Sequence, residues 1–179
     1  MVSSRFVIFA ILFSSIFTGC SVNMKDEANS AFKMFNKDKF YEKALIQTKS
    51  SQIINSLETR AKITATYLNK MYPKYSDAEY FLVGVYIVND DDDPKKAGLN
   101  NKNFKLVIDT TDKKTKKIEQ IEATVVESLD SDSEIVKKMP LTDSWSRYYI
   151  VSFPMQKTEK IVLDYTSEYG KATLRFPKN

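Results

Sequence analysis

The stretch Asn89-Asp90-Asp91-Asp92-Asp93-Pro94 sets four carboxylates side by side. Adjacent like charges repel and cost stability unless water or a cation neutralises them. Calcium is the natural counter-ion, because it takes several oxygen ligands from loops. The EF-hand spacing fails, since Pro94 stands at the third ligand position counted from Asp90 and no glycine follows at the turn. Acidic loops at one end of a β-sandwich remain open as a calcium site. Asp90 and Asp92 would come from one loop, and Asp130 and Asp132 from a second that also carries Glu134 and Asp143. The competing reading is a solvated acidic loop.

A second cluster, Asp143-Ser-Trp-Ser-Arg-Tyr-Tyr149, holds the only tryptophan of the chain. Trp145, Arg147 and Tyr148 are the residue types that stack on sugars or anchor protein interfaces. Packing competes with that reading. In a strand Tyr149, Val151 and Phe153 share one face, which marks it as the buried one, and Trp145 at the entrance would then plug the end of the core.

Much chemistry is excluded. With no histidine, Ser-His-Asp and Cys-His catalysis and His-based zinc motifs are ruled out. A single cysteine allows no internal disulfide or redox pair. Four glycines, scattered singly, make no phosphate cradle. The net charge of +4 is mild and carried by lysine, with Arg5, Arg60, Arg147 and Arg175 the only arginines, so no nucleic-acid partner is expected. Carboxylate pairs such as Glu119 and Glu122, or Asp164 and Glu168, exist because acids are common. Only their separation in space would give them a hydrolase's chemistry. The expectation is a protein that is not an enzyme.

The elements that position these residues follow from periodicity. Met24, Ala28, Ala31, Phe32 and Phe35 fit one helix face, and Phe40, Tyr41, Ala44 and Leu45 begin a second helical stretch. Arg60–Leu68 fits a helix stripe or an alternating strand. Its β-branched and aromatic residues favour the strand. Further strands read at Glu79–Val88, Phe104–Asp109, Ile118–Glu127, Arg147–Phe153, Lys160–Thr166 and Ala172–Phe176, seven in all. Short strands between turn signals, without helical spacers, predict an antiparallel sandwich. If the strands run up and down in order, loops 89–103 and 128–146 emerge at one end. The other end would carry Lys70, Lys74, Lys157 and the lysine-rich run 113–117. In layout alone the chain is similar to small immunoglobulin-like lipoproteins of Gram-negative bacteria.

The lone cysteine sits where a processing signal would place it. Met1–Arg5 is a charged start, Phe6–Phe17 is an apolar run of 12 residues, and Thr18-Gly19-Cys20 follows. As a helix the run is roughly 18 Å long, short of a bilayer core of about 30 Å. Phe17-Thr18-Gly19-Cys20 resembles the lipobox of bacterial lipoproteins, with Phe where Leu is usual. That resemblance implies cleavage before Cys20, lipid on its sulfur and anchoring in a membrane. Ser21 in place of aspartate implies the outer rather than the inner membrane in a two-membrane cell. The expected organisation is a signal peptide at 1–19, a lipidated tether at 20–23, a helical segment at 24–55 and a mostly β, seven-stranded immunoglobulin-like sandwich at 60–179. The expected function is non-enzymatic binding or scaffolding of another envelope component, a protein or a glycan. A small-ligand binder, for calcium or glycan, is the alternative, and a carboxylate-based hydrolase the third.

Overall fold

Alternation along one strand illustrates the pattern of the rest. In Arg60–Tyr67 the residues Ala61, Ile63, Ala65 and Tyr67 are buried in the core, whereas Lys62, Thr64 and Thr66 take the other face. A computed structural model describes residues 39–111 and 118–178 of this chain. Among them lie nine strands: β1 (Thr48–Asn55), β2 (Glu58–Tyr67), β3 (Glu79–Ile87), β4 (Phe104–Thr111), β5 (Ile118–Glu122), β6 (Thr124–Leu129), β7 (Arg147–Phe153), β8 (Lys160–Ser167) and β9 (Gly170–Pro177). Helical residues 39–46 (α1) precede them, Glu134–Lys137 (α2) forms one further turn, and Gly98–Asn100 is a short 3-10 turn.

The fold is mostly β, in two antiparallel sheets. The first has the order β1-β2-β3-β7-β6 and the second β5-β4-β8-β9. Their inner faces form one core, in which Phe81 lies edge-on to Phe176 at 5.1 Å and Phe104 stacks on Tyr165 at 5.3 Å. The first sheet is also partly covered outside. Leu68, Leu82 and Ile150 pack there with Ala44 of α1, Val136 of α2, Met71 and Met139. This explains why β3 is buried along most of its length.

Two departures from the sequence reading account for the strand count of nine rather than seven. Thr48–Asn55, read within a helical segment at 24–55, is β1. It pairs with β2 through hydroxyl contacts, Thr48 to Thr66 at 2.7 Å and Ser50 to Thr64 at 3.0 Å. The single strand expected at Ile118–Glu127 is β5 and β6. The chain passes from one sheet to the other at Ala123, whose N–H donates to the Leu106 carbonyl at 2.9 Å. Of Arg60–Leu68, ambiguous in sequence, all but Leu68 falls in β2. Cys20, the segments at 1–19 and 20–23, the first part of 24–55 and the lysines between 113 and 117 lie outside the described residues.

Candidate functional site

Ala61 of β2 is paired with Ile87 at the end of β3, and β7 begins at Arg147 beside Val85. The loops 88–103 and 130–146 therefore leave the strands at one end, as their order along the chain suggested. Arg147 ties them together. Its Nη2 donates to the Asp91 carbonyl at 3.2 Å, and its Nε stands 3.7 Å from Asp90 Oδ2.

The acidic run is organised by its own backbone. Asp90 Oδ2 accepts the Gly98 N–H at 2.7 Å, and Oδ1 accepts the Asp91 N–H and the Asn101 amide, each at 3.0 Å. Asp91 and Asp93 close successive turns onto the N–H groups of Asp93 and Lys95. Gly98 has φ +60, and a Cβ there would come within 2.1 Å of the Tyr149 hydroxyl. A glycine is thus required for the loop to close over the core. Asp92 is exposed in this loop, and Asp130 and Asp132 lie across the end in the second loop. Among the described residues no group of three or more carboxylate, cysteine or histidine side chains is placed to hold a metal ion.

Trp145 does not plug the core. It is 79% exposed, the most exposed aromatic residue among those described, and the end of the core is closed instead by Gly98 against Tyr149. The physical cause is a turn built on Asp143. Its Oδ1 accepts the N–H groups of Trp145 at 3.0 Å and Ser146 at 2.8 Å, which curls the chain and interrupts the alternation before β7 starts. Asp143 Oδ2 accepts Lys62 Nζ at 3.1 Å. The Asp143 N–H donates to the Tyr148 hydroxyl at 2.6 Å, and that hydroxyl donates to the Asp143 carbonyl at 2.7 Å. Burial alone would raise the Asp143 carboxyl, but hydrogen bonds from Ser146 and Lys62 outweigh it and hold the group below its ordinary range.

Of the three residues singled out for ligand contact, then, only Trp145 is presented freely. Arg147 is half-buried and joins the loops, whereas Tyr148 is buried with its ring against Gly84. A Cβ on Gly84 would lie 2.7 Å from that ring, so the glycine makes room for it.

Trp145 is the wall between two hollows. One, of about 410 Å³, is lined by Lys62, Tyr86, Asp143 and Trp145. The other lies between Pro94, the end of β6 near Asp130, and Arg147. A hollow of the first size suits a small ligand or one unit of a larger one. Lys62 and Tyr86 were not expected at a site. Alternation puts Lys62 opposite the buried Ile63 and Tyr86 opposite the buried Ile87, on the outer face of the first sheet, and the register that pairs Lys62 with Tyr86 brings them together beside Trp145. No protein-family profile, curated protein or solved structure matches the chain.

Proposed function

We propose that this chain is a lipid-anchored cell-envelope protein that binds or scaffolds another envelope component without catalysing a reaction. The exposure of Trp145 carries this reading. Its apolar face costs free energy in water, yet the Asp143 turn holds it outward with four hydrogen bonds and an ion pair at the hub. Such an expense of ordered structure is expected of a contact residue.

The immunoglobulin-like sandwich belongs to the same proposal. The order β2-β3-β7-β6 opposite β4-β8-β9 supports it, being the A-B-E-D and C-F-G order of that fold with β1 and β5 added. Loops at the ends of such sandwiches commonly carry binding surfaces, although fold alone does not dictate function. The anchor rests on the resemblance of Phe17–Cys20 to a lipobox, and the outer membrane on Ser21. Two acyl chains or more hold a protein stably at a membrane.

Cys20→Ala tests the anchor: labelled palmitate enters the wild type and not the variant, and equal membrane association of both would refute it. Crosslinking in intact cells tests the surface. Trp145→Ala should lose the crosslinked partner while the fold persists, and an unchanged partner would remove Trp145 from the function. Calcium at Asp90, Asp92, Asp130 and Asp132 is the alternative ligand reading. It requires Asp90 to share oxygens already taken by Gly98 and Asn101, and a rise of Tm in millimolar calcium would support it.

A further inference from the structure

The outer face of the first sheet is divided by chemistry. Its lower half is apolar and covered, by α1, α2 and the chain after β2. Its upper half is open and polar. There Gln52 of β1 is paired with Lys62 of β2, and Lys62 with Tyr86 of β3, so the three form a row that leads to Trp145. From β1 to β3 the row crosses two strand spacings, roughly 10 Å at about 4.8 Å each, before it reaches Trp145. A third, smaller hollow, lined by Ser50, Ser51, Gln52 and Lys62, adjoins the one of about 410 Å³ at Lys62. Behind the row Ser50 and Thr64 add hydroxyls, and Gly84 contributes no side chain.

We propose that this row, from Trp145 across Tyr86 and Lys62 to Gln52, binds an uncharged saccharide chain laid across the strands. The proposal rests on the reading of Trp145 as the contact residue and names the ligand class. The flat face of Trp145, 79% exposed, matches the apolar C–H face of a sugar ring. Beside it the polar groups offer donors and acceptors in alternation, as vicinal hydroxyls require. Lys62 Nζ has three donors and spends one on Asp143 Oδ2. The Gln52 carbonyl accepts the Thr59 hydroxyl at 3.1 Å, which orients its amide and leaves two N–H donors. Charge settles the choice among saccharides. Lys62 and Asp143 neutralise one another, so the site has no net attraction for an anionic chain. The row also lies across the strands rather than along a free edge, which disfavours an extended peptide paired by its backbone.

Because Trp145 is the only tryptophan, its fluorescence in the full chain reports this site alone. The probes are maltotetraose, cellotetraose and chitotetraose, with a proline-rich peptide as the competing class, in a detergent without a sugar headgroup. At least one tetrasaccharide should shift the emission saturably. By calorimetry Trp145→Ala should then weaken binding about tenfold or more. Gln52→Ala should weaken the tetrasaccharide several-fold but leave the matching disaccharide unchanged, since only the longer chain reaches β1. Silence of all three saccharides at millimolar concentration overturns the proposal, as does unchanged affinity in Trp145→Ala or a response to the peptide alone. Loss of the crosslinked partner in Trp145→Ala without saccharide binding would overturn the ligand class and leave the proposed surface standing. Loss of neither would end both.

Discussion

Asp143 shows how one carboxylate fixes the outward aim of a neighbour two residues away. Asp143→Ala removes the acceptor for two backbone N–H groups and unpairs Lys62. It should destabilise the fold by about 1–2 kcal/mol in urea unfolding and loosen Trp145, read as lower fluorescence anisotropy. Asp143→Asn keeps an oxygen for the two N–H groups and should cost less. The pH dependence has a fixed sign. The carboxyl's folded value lies below its ordinary 3.8, so its contribution is complete above that value and is lost as pH falls through the lower folded one. The gap in urea midpoint between wild type and Asp143→Ala should therefore hold steady from neutral pH to about pH 5 and close in stronger acid. At this scale the sequence was informative about type and less so about placement. The unusual gathering at Asp143–Tyr149 was visible, and so was the inward face of Tyr149, Val151 and Phe153. The exposure of Trp145 was hidden because alternation, extended back from β7, points it inward. Only the Asx turn, which an Asp-Ser-Trp-Ser stretch allows but does not dictate, reverses it.

Among the elements, the hairpin of β1 and β2 is held by hydroxyl ladders and closed by Ser56 and Leu57. Asn55 pairs with Glu58, so the turn has two residues, and both have positive φ, 52 and 67. Such a turn matches the twist of the strands but suits Asn-Gly, since a bulky side chain at positive φ is strained. Leu57 is 99% exposed and has no packing to lose. Replacing Ser56-Leu57 by Asn-Gly should raise stability by about 1 kcal/mol, seen as a higher urea midpoint at unchanged slope. A fall would mean that Leu57 serves a contact outside the fold. This hairpin also explains why β1 was missed. Its sequence, Thr48-Lys-Ser-Ser-Gln-Ile-Ile-Asn55, has few apolar residues to reveal a period, and its turn lacks the expected glycine. β7, rich in aromatic and β-branched residues, was legible, and in β2 the same residue types favoured a strand over the competing helix stripe. The corner at Ala123 was not, because a chain that changes sheets keeps its extended conformation and gives no turn signal.

For the molecule as a whole, the buried network at Glu79 and the proposed binding surface at Trp145 lie at opposite ends of β3. Far from Trp145, Glu79 at the start of β3 is fully buried. It accepts the Tyr67 hydroxyl at 2.7 Å and the Gln156 N–H at 2.8 Å, and it pairs with Lys178 beyond β9. Lys178 also donates to the Gln156 carbonyl, so this one cation joins the first sheet, the β7–β8 loop and the last strand of the second sheet. Burial and then the Glu79 carboxylate push the Tyr67 phenol far above its ordinary value, which keeps its proton in the network. That loops 88–103 and 130–146 share one end could be anticipated from strand order. This closing network could not, since it depends on which strands face each other. Breaking a buried pair leaves a charge without a partner. Lys178→Ala should therefore cost about 3–5 kcal/mol in urea unfolding, far more than Trp145→Ala at about 0.5 kcal/mol or less. Glu79→Gln together with Lys178→Met removes both charges and should recover much of the loss. Among the described residues no hydrogen bond or ion pair joins Lys178 to Trp145, so Lys178→Ala combined with Trp145→Ala should be additive within about 0.5 kcal/mol. Under conditions where Lys178→Ala stays folded, its Trp145 emission and partner crosslinks should match the wild type. A changed emission maximum, or a coupling well beyond additivity, would show that the two ends communicate through the shared core and would refute this division.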